Sequence, residues 1–328
     1  MIFESQYQIM DDTWQAFERN LCRLLLYEGF TNVRLVGQTG DHGADVTATR
    51  EGPQGKRRWL FQAKHWKKPV GESVVQETIK ALYEYSASVP VIVSTCGFET
   101  SVKEHQKMLM AAGIPLQLWD SDKLVERARK LSDVYTNTKV PRSYQQPAID
   151  ELVKAFFSGE NKALAVMATG LGKTFVAAES IRRIRENCKA QVLVCAHTND
   201  LVYQLERAFW PFLKPSETTL IWNSYERPKM EQLQNADFTF GCVDSVASYI
   251  QLGKMLPEYK ILLIDECHHV GSSMYDKVFE ALSAGKPGGT FALGLTATPW
   301  RPDEIDLTDY FGYPRVSIDM VTGLKKGF

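Results

Sequence analysis

Three short runs in this 328-residue chain carry residue types suited to handling a phosphoanhydride. The first is MATGLGKT, Met167–Thr174, which follows the apolar run Ala163–Met167. It precedes an amphipathic segment with Val176, Ala177, Ile181 and Ile184 on one face, so the order is strand, glycine loop, helix. Thr169, Gly170, Leu171 and Gly172 form the loop, where the glycines let backbone N–H groups turn toward phosphate oxygens at the positive end of the new helix. Lys173 would reach the β- and γ-phosphates and the Thr174 hydroxyl would bind Mg²⁺. The second run is DECHH, Asp265–His269, at the end of the apolar strand Ile261–Ile264. There Asp265 can hold Mg²⁺ through water, and Glu266 can orient and deprotonate the attacking water. His268 is expected to couple the site to a neighbouring strand, and His269 to be an exposed bystander. The third run is LTATP, Leu295–Pro299. A bare glycine turn at a helix start would explain the first run alone, but not three motifs in order, each at a strand end.

A different chemistry is offered upstream. Asp45 follows the turn GDHGAD (Gly40–Asp45) and opens a strand, and Gln62-Ala63-Lys64 lies on the next one. An acid and an x-x-Lys on paired strands can converge on one metal. Asp45 and the Ala63 carbonyl would coordinate Mg²⁺, and Lys64 would orient water or stabilise charge on a phosphorane. Glu18, on the first helix, is a further carboxylate within reach. On spacing alone a surface hairpin with a turn aspartate explains these residues equally well. From Lys56 to Lys68 there are six Lys or Arg and no acid, with Trp59 and Trp66 interleaved. That strip reads either as a solvated hairpin edge or as a surface facing nucleic-acid phosphates.

The elements that must position these residues fall into two blocks. In the first, to about Ser132, the pattern predicts αβββαβαβα. Its helices are a first one closed by Gly29, then about Ser73–Ser86, about Thr100–Ala111 and one from Asp122. Its strands are Val33–Val36, Ala44–Thr49, Trp59–Ala63, Val91–Ser94 and Pro115–Trp119, a mixed sheet flanked by helices. A polar, proline-ended segment at 135–141 reads as a linker. After it strand and helix alternate, which predicts a parallel doubly wound sheet.

Composition bounds the rest. The length suits two domains, each with its own core. Hydrophobic residues make up 44% and charged residues 23%, ordinary for a soluble globular protein. No apolar run approaches the ~20 residues of a membrane span, and the acidic, polar start is unlike a secretory signal. The six cysteines form no C-x-x-C pair and several sit in strand-like runs, which suggests reduced core thiols in a cytoplasmic protein rather than a zinc site. The net charge of −1 gives no sign of nucleic acid; only the local strip does.

The second block resembles the first RecA-like lobe of superfamily 2 DExH helicases and translocases, the group that includes restriction-enzyme motor subunits. In RSYQQPAI, Arg142, Tyr144 and Gln145 match the adenine-reading motif ahead of the lobe. Lys173 and Thr174 match the phosphate loop, and Asp265 and Glu266 the magnesium and water site. Thr296 and Thr298 match the motif linking hydrolysis to strand movement. CAHTNDLVYQ (Cys195–Gln204) and GCVDSVAS (Gly241–Ser248) stand, with a looser match, where that family touches the nucleic-acid backbone. The resemblance implies ATP as cofactor. It also implies a second lobe supplying arginines, for which the roughly thirty residues after LTATP leave no room. Loss of a trans arginine costs ~10³–10⁵ in rate in related sites, so the expectation is nucleotide binding with little turnover by this chain alone.

The first block, through FERNLCRLLLYEGF, GDHGAD and FQAKHW, resembles the Mrr-type restriction endonuclease domain of the PD-(D/E)xK fold. That resemblance implies Asp45, Gln62 and Lys64 as catalytic with Glu18 in support; glutamine replaces the second acid in this branch, removing one charge. The organisation expected is thus 1–134 nuclease, 135–141 linker and 142–328 ATP-binding lobe. The expected function is a Mg²⁺-dependent DNA endonuclease coupled to an ATP-driven motor, of restriction or phage-defence type. Double-stranded DNA is the partner, with a homodimer or further restriction subunits also compatible. A module that binds DNA or a modified base without cutting, with the ATPase as a remodelling switch, is the competing reading. A repair nuclease-helicase uses the same chemistry.

Overall fold

The computed structural model describes residues 2–37, 43–53, 55–136, 139–298 and 306–321. The chain divides into two compact units, Met1–Thr136 with Lys214–Ser216, and Asn137–Leu213 with Glu217–Phe328.

The first unit begins with a short helix α1 (Gln6–Asp11), which the apolar pattern does not announce because it buries a single residue, Ile9. Helix α2 (Trp14–Tyr27) follows. The Thr13 hydroxyl caps it by accepting from the Ala16 amide at 3.1 Å, and Gly29 ends it at φ +83°. Phe17, Leu21, Leu24 and Leu25 form its buried stripe. Strands β1 (Thr31–Leu35), β2 (Val46–Gly52) and β3 (Gly55–Lys64) make an antiparallel meander. Helix α3 (Glu72–Glu84), strand β4 (Val89–Ser94), helix α4 (Thr100–Ala111), strand β5 (Gln117–Trp119) and helix α5 (Ser121–Arg129) complete the unit. The sheet order is β1-β2-β3-β4-β5, with β3-β4 and β4-β5 parallel. It is the mixed sheet expected.

Alternation along β3 assigns its residues to opposite faces. Trp59 and Phe61 stack 6.1 Å apart and meet Phe30 edge-on, while Leu60 packs with Ala44 and Ala81 beneath α3. Lys56, Arg58, Gln62 and Lys64 share the parity of Leu60; Arg57 shares that of Trp59.

In the second unit, helix α6 (Gln145–Phe157) leads into strand β6 (Lys162–Met167) and helix α7 (Lys173–Asn187). There follow β7 (Val192–Ala196), α8 (Asn199–Phe209), β8 (Thr219–Trp222), α9 (Met230–Asn235), β9 (Phe238–Cys242) and α10 (Val243–Gln251). Then come β10 (Ile261–Ile264), α11 (Ser273–Ala281), β11 (Phe291–Thr296), α12 (Leu307–Phe311) and β12 (Pro314–Ile318). All seven strands are parallel in the order β12-β6-β11-β10-β7-β9-β8. Strands β6, β11, β10 and β7 are buried along nearly their whole length, as parallel strands covered on both faces must be. Their carboxyl ends lie side by side, so the loops after β6, β10 and β11 open onto one crevice. The six cysteines are all free. Among the described residues no helix is long and apolar enough to cross a membrane.

Candidate active sites for phosphate chemistry

The loop after β6 turns through Gly170 and Gly172, at φ +86° and +82°. Both lie in the left-handed region that side chains resist. Gly172 caps α7, so Lys173 and Thr174 occupy the first turn of a helix whose free amides face the crevice. Its carbonyl neighbour is held from outside. The Gln145 side-chain amide donates to the Leu171 carbonyl at 2.9 Å, and its own carbonyl accepts from the Arg142 amide at 2.9 Å. Arg142 Nη1 donates at 2.9 Å to the Tyr144 hydroxyl, which donates in turn to the Leu171 carbonyl at 3.4 Å. The motif that sequence assigned to base reading therefore also braces the loop. A Cβ on Gly172 would stand 2.7 Å from Gln145 Nε2.

Across the crevice, Lys173 Nζ pairs with Glu266 Oε1 at 3.1 Å. The other Glu266 oxygen lies 3.2 Å from His268 Nδ1, itself 3.3 Å from the Thr296 hydroxyl on β11. That hydroxyl donates to the Thr298 carbonyl (3.0 Å) and accepts from the Thr298 amide (3.1 Å). One chain of polar contacts thus joins the loop, DECHH and the third motif, with His268 linking the strands as expected. His269 corrects the reading as a bystander. It is half-buried, its ring 4.1 Å from that of His197 and 4.2 Å from that of His268.

Burial, and then the adjacent Glu266, push the Asp265 carboxyl above the usual range. Its Oδ1 is buried with no hydrogen-bond partner among the described residues. A buried carboxylate oxygen left open beside a phosphate loop fits a hydrated magnesium ion, with the Thr174 hydroxyl at the helix start as second holder.

In the first unit the carboxyl of Asp45 returns to the backbone. Its Oδ2 accepts from the Ala63 amide at 2.6 Å, while the Asp45 amide donates to the Phe61 carbonyl at 2.9 Å. This fixes Asp45 against the end of β3. Glu18, on α2, is pushed up to about 8 by burial and by the charge of Asp45, with Arg19 and Lys64 pulling the other way. Glu18 is therefore within electrostatic reach of both Asp45 and Lys64. Two carboxylates crowded in a partly dry site are what a divalent cation relieves, so the residues fit Mg²⁺. Among the described residues no three His, Cys, Asp or Glu converge, so the Ala63 carbonyl, water and substrate phosphate would complete the shell. The tip of GDHGAD, Gly40–His42, lies outside the described residues.

Gln62 behaves differently from its partners. It is fully buried and its amide turns to α3: Nε2 donates to Glu77 Oε2 at 3.0 Å, and Oε1 accepts from the Thr78 hydroxyl. Glu77 was missed because, read along α3, it is one more exposed helix acid. Lys64 Nζ sits 5.5 Å from the centre of the Trp66 ring. His65 Nε2 lies 2.9 Å from the Ile9 carbonyl oxygen. Tyr85 packs with Ala44, Leu60 and Ala81, and Tyr83 is exposed.

The family profile described as "Type III restriction enzyme, res subunit" matches residues 138–301, half of the chain. The chain belongs to this family. A second profile, "Restriction endonuclease", matches residues 9–128. The chain thus joins a restriction endonuclease domain to a helicase-type ATP-binding domain. Over 194 residues it is 33% identical to the Type I restriction enzyme EcoAI endonuclease subunit of Escherichia coli, covering 58% of this chain and 23% of that one. It is 32% identical over 183 residues to the DEAD-box ATP-dependent DNA helicase Fancm of Drosophila melanogaster, covering 52% and 12%. Among solved structures it is similar to an ATP-dependent Type ISP restriction-modification enzyme, LlaBIII, bound to DNA (TM-score 0.46, 16% identity, 97% of this chain and 24% of that one). The chain spans less than a quarter of the E. coli subunit it matches.

Proposed function

We propose that the chain is a Mg²⁺-dependent DNA endonuclease governed by an ATP-dependent motor module, acting on double-stranded DNA in restriction-type defence in the cytoplasm. The nuclease domain is assigned to 1–134, the linker to 135–141 and the ATP-binding lobe to 142–328. The observation that carries the reading is the Asp45 carboxyl held on the amide of Ala63, next to Lys64 at the end of β3, with Glu18 within electrostatic reach. Mg²⁺, when bound, would supply a more acidic water and neutralise phosphate charge. Asp45 and the Ala63 carbonyl would hold it, Glu18 would add a second carboxylate once ionised, and Lys64 would offset charge on the attacked phosphate. In the other unit Lys173 and the loop amides would bind the triphosphate, Thr174 and Asp265 the metal, and Glu266 the attacking water. Arg142, Tyr144 and Gln145 would set the base end, and Thr296 and Thr298 would pass the nucleotide state to β11. A second copy or further restriction subunits would complete cutting of both strands.

Incubating methylated and unmethylated plasmid with Mg²⁺, with and without ATP, tests this reading. Cleavage abolished in Asp45→Asn and Lys64→Ala is expected; a fully active Asp45→Asn enzyme would remove the site. One observation favours a second reading, a DNA- or modified-base-binding module without cleavage. The Gln62 amide is spent on α3 instead of on the metal site. Metal-independent DNA binding with no nicking over long incubation would select that reading.

A further inference from the structure

The basic strip on β3 is split by the pleat, and its outward half builds a cleft that the nuclease site does not use. Arg50 on β2 stands directly opposite Arg57 on β3, and Ala48 opposite Trp59, so the two guanidinium groups and the indole share one face of the hairpin. With Glu51, Gly52 and Pro53 they line a cleft of about 450 Å³. That volume is within the range of small-ligand pockets, roughly 300–1,000 Å³. Its aromatic wall is fixed: Trp59 meets Phe30 edge-on at 5.2 Å, stacks on Phe61 at 6.1 Å, and Arg50 lies over the Phe30 ring at 4.8 Å. Glu51 is the one acid in the lining, and it stands opposite Lys56 in the ladder. The opposite face carries Gln62, bound to Glu77 of α3, with the proposed catalytic Lys64 beyond it.

Guanidinium groups match phosphate oxygens in pairs, and a rigid indole offers a face to a flat ring. We propose that this cleft binds a nucleotide unit of a DNA strand whose base has left the stack, the phosphate on Arg50 and Arg57 and the base on Trp59. The inference rests on DNA being the substrate, but not on cleavage.

The test is fluorescence anisotropy in EDTA with the full chain and labelled oligothymidylate, the same strand bearing abasic positions, and a duplex of equal length. Arg50→Gln/Arg57→Gln should weaken single-strand binding by about tenfold or more, and lower the slope of log K against log salt by about 0.7, the share of one phosphate contact on a single strand. Lys103→Gln/Lys107→Gln, which takes the same charge from exposed positions on α4, should leave both unchanged. Wild type should prefer the base-bearing strand to the abasic one, and Trp59→Leu should erase that preference. Thermal melts confirm that each variant is folded; the arginine pair is exposed, so its loss leaves the core intact. Equal losses in the two double variants, or equal binding of abasic and base-bearing strands by wild type, would overturn the proposal. So would thymidine monophosphate competing as strongly as the strand, which would make the occupant a free nucleotide. Since no metal is present, a failed cleavage assay and a failed cleft are separate results.

Discussion

Replacing Glu18 with glutamine should stabilise the metal-free protein, but only at neutral and alkaline pH. In the folded chain this carboxyl is pushed from its ordinary 4.5 up to about 8, chiefly by burial and secondly by Asp45. The folded state therefore keeps a proton that the unfolded chain releases from about pH 4.5 upward. The sign follows from linkage: between those values rising pH favours unfolding, and above about 8 the penalty levels off. The full shift corresponds to roughly 5 kcal/mol at 1.36 kcal/mol per pH unit. Glu18 is only half-buried, so solvent screening reduces this to about 2–3 kcal/mol. Glutamine keeps the shape and removes the ionisation. The gap between Glu18→Gln and wild type should be near zero at pH 4 and grow to about 2–3 kcal/mol at pH 9. For a unit of this size that is about 5–10 °C in melting temperature. Urea melts monitored by circular dichroism at several pH values, in EDTA, measure it directly. Parallel pH profiles for the two proteins would refute the claim that Glu18 is the crowded, proton-holding member of the site.

Three further outcomes follow from named contacts. Lys173→Ala should abolish binding of a fluorescent ATP analogue, whereas Glu266→Gln should keep binding and reduce any hydrolysis by about 10²–10⁴-fold, the share of a general base; equal loss of binding in both would contradict the role assigned to Glu266. Gly172→Ala should cost about 1–2 kcal/mol from its positive φ and also weaken nucleotide binding, because the new Cβ displaces Gln145 from the Leu171 carbonyl. Gln62→Glu should destabilise by about 1–3 kcal/mol, since it sets a buried carboxylate against Glu77, and Glu77→Gln in the same chain should recover most of the loss; a double variant no better than the single would remove the pairing.

Legibility followed how local each contact is. The phosphate loop was readable because its donors are consecutive backbone amides, and spacing alone fixes them. The succession of strands and helices in both units was readable because buried strands leave apolar runs and helices leave apolar stripes. Contacts made across long stretches of chain left no period. Gln145 reaches Leu171 over 26 residues and Gln62 reaches Glu77 over 15, and neither pairing changes the local pattern at either end. Gln62 was expected beside Asp45 because the x-x-Lys motif names a strand position; which neighbour its amide meets depends on where α3 packs. Arg50 escaped notice because it precedes the basic run, and only the β2-β3 register sets it opposite Arg57. His269 looked idle because its ring neighbour, His197, arrives from the loop after β7.

Both sites use one electrostatic device on unrelated sheets. Each crowds two acids, Glu18 with Asp45 and Asp265 with Glu266, and raises the pKa of one of them mainly by burial. Each sets a single lysine beside the pair, Lys64 or Lys173. Such an arrangement costs folding stability and is retained where a cation will relieve it. In the nucleotide site the lysine already has a partner, since Lys173 holds Glu266 at 3.1 Å. A γ-phosphate arriving on Lys173 must displace that carboxylate, and the displaced Glu266 keeps its contact with His268, which leads to Thr296 on β11. Binding itself would therefore release the residue needed as base and pull on the strand that carries the third motif. On the function proposed above, the pairing would keep Glu266 from serving as a base until triphosphate is present.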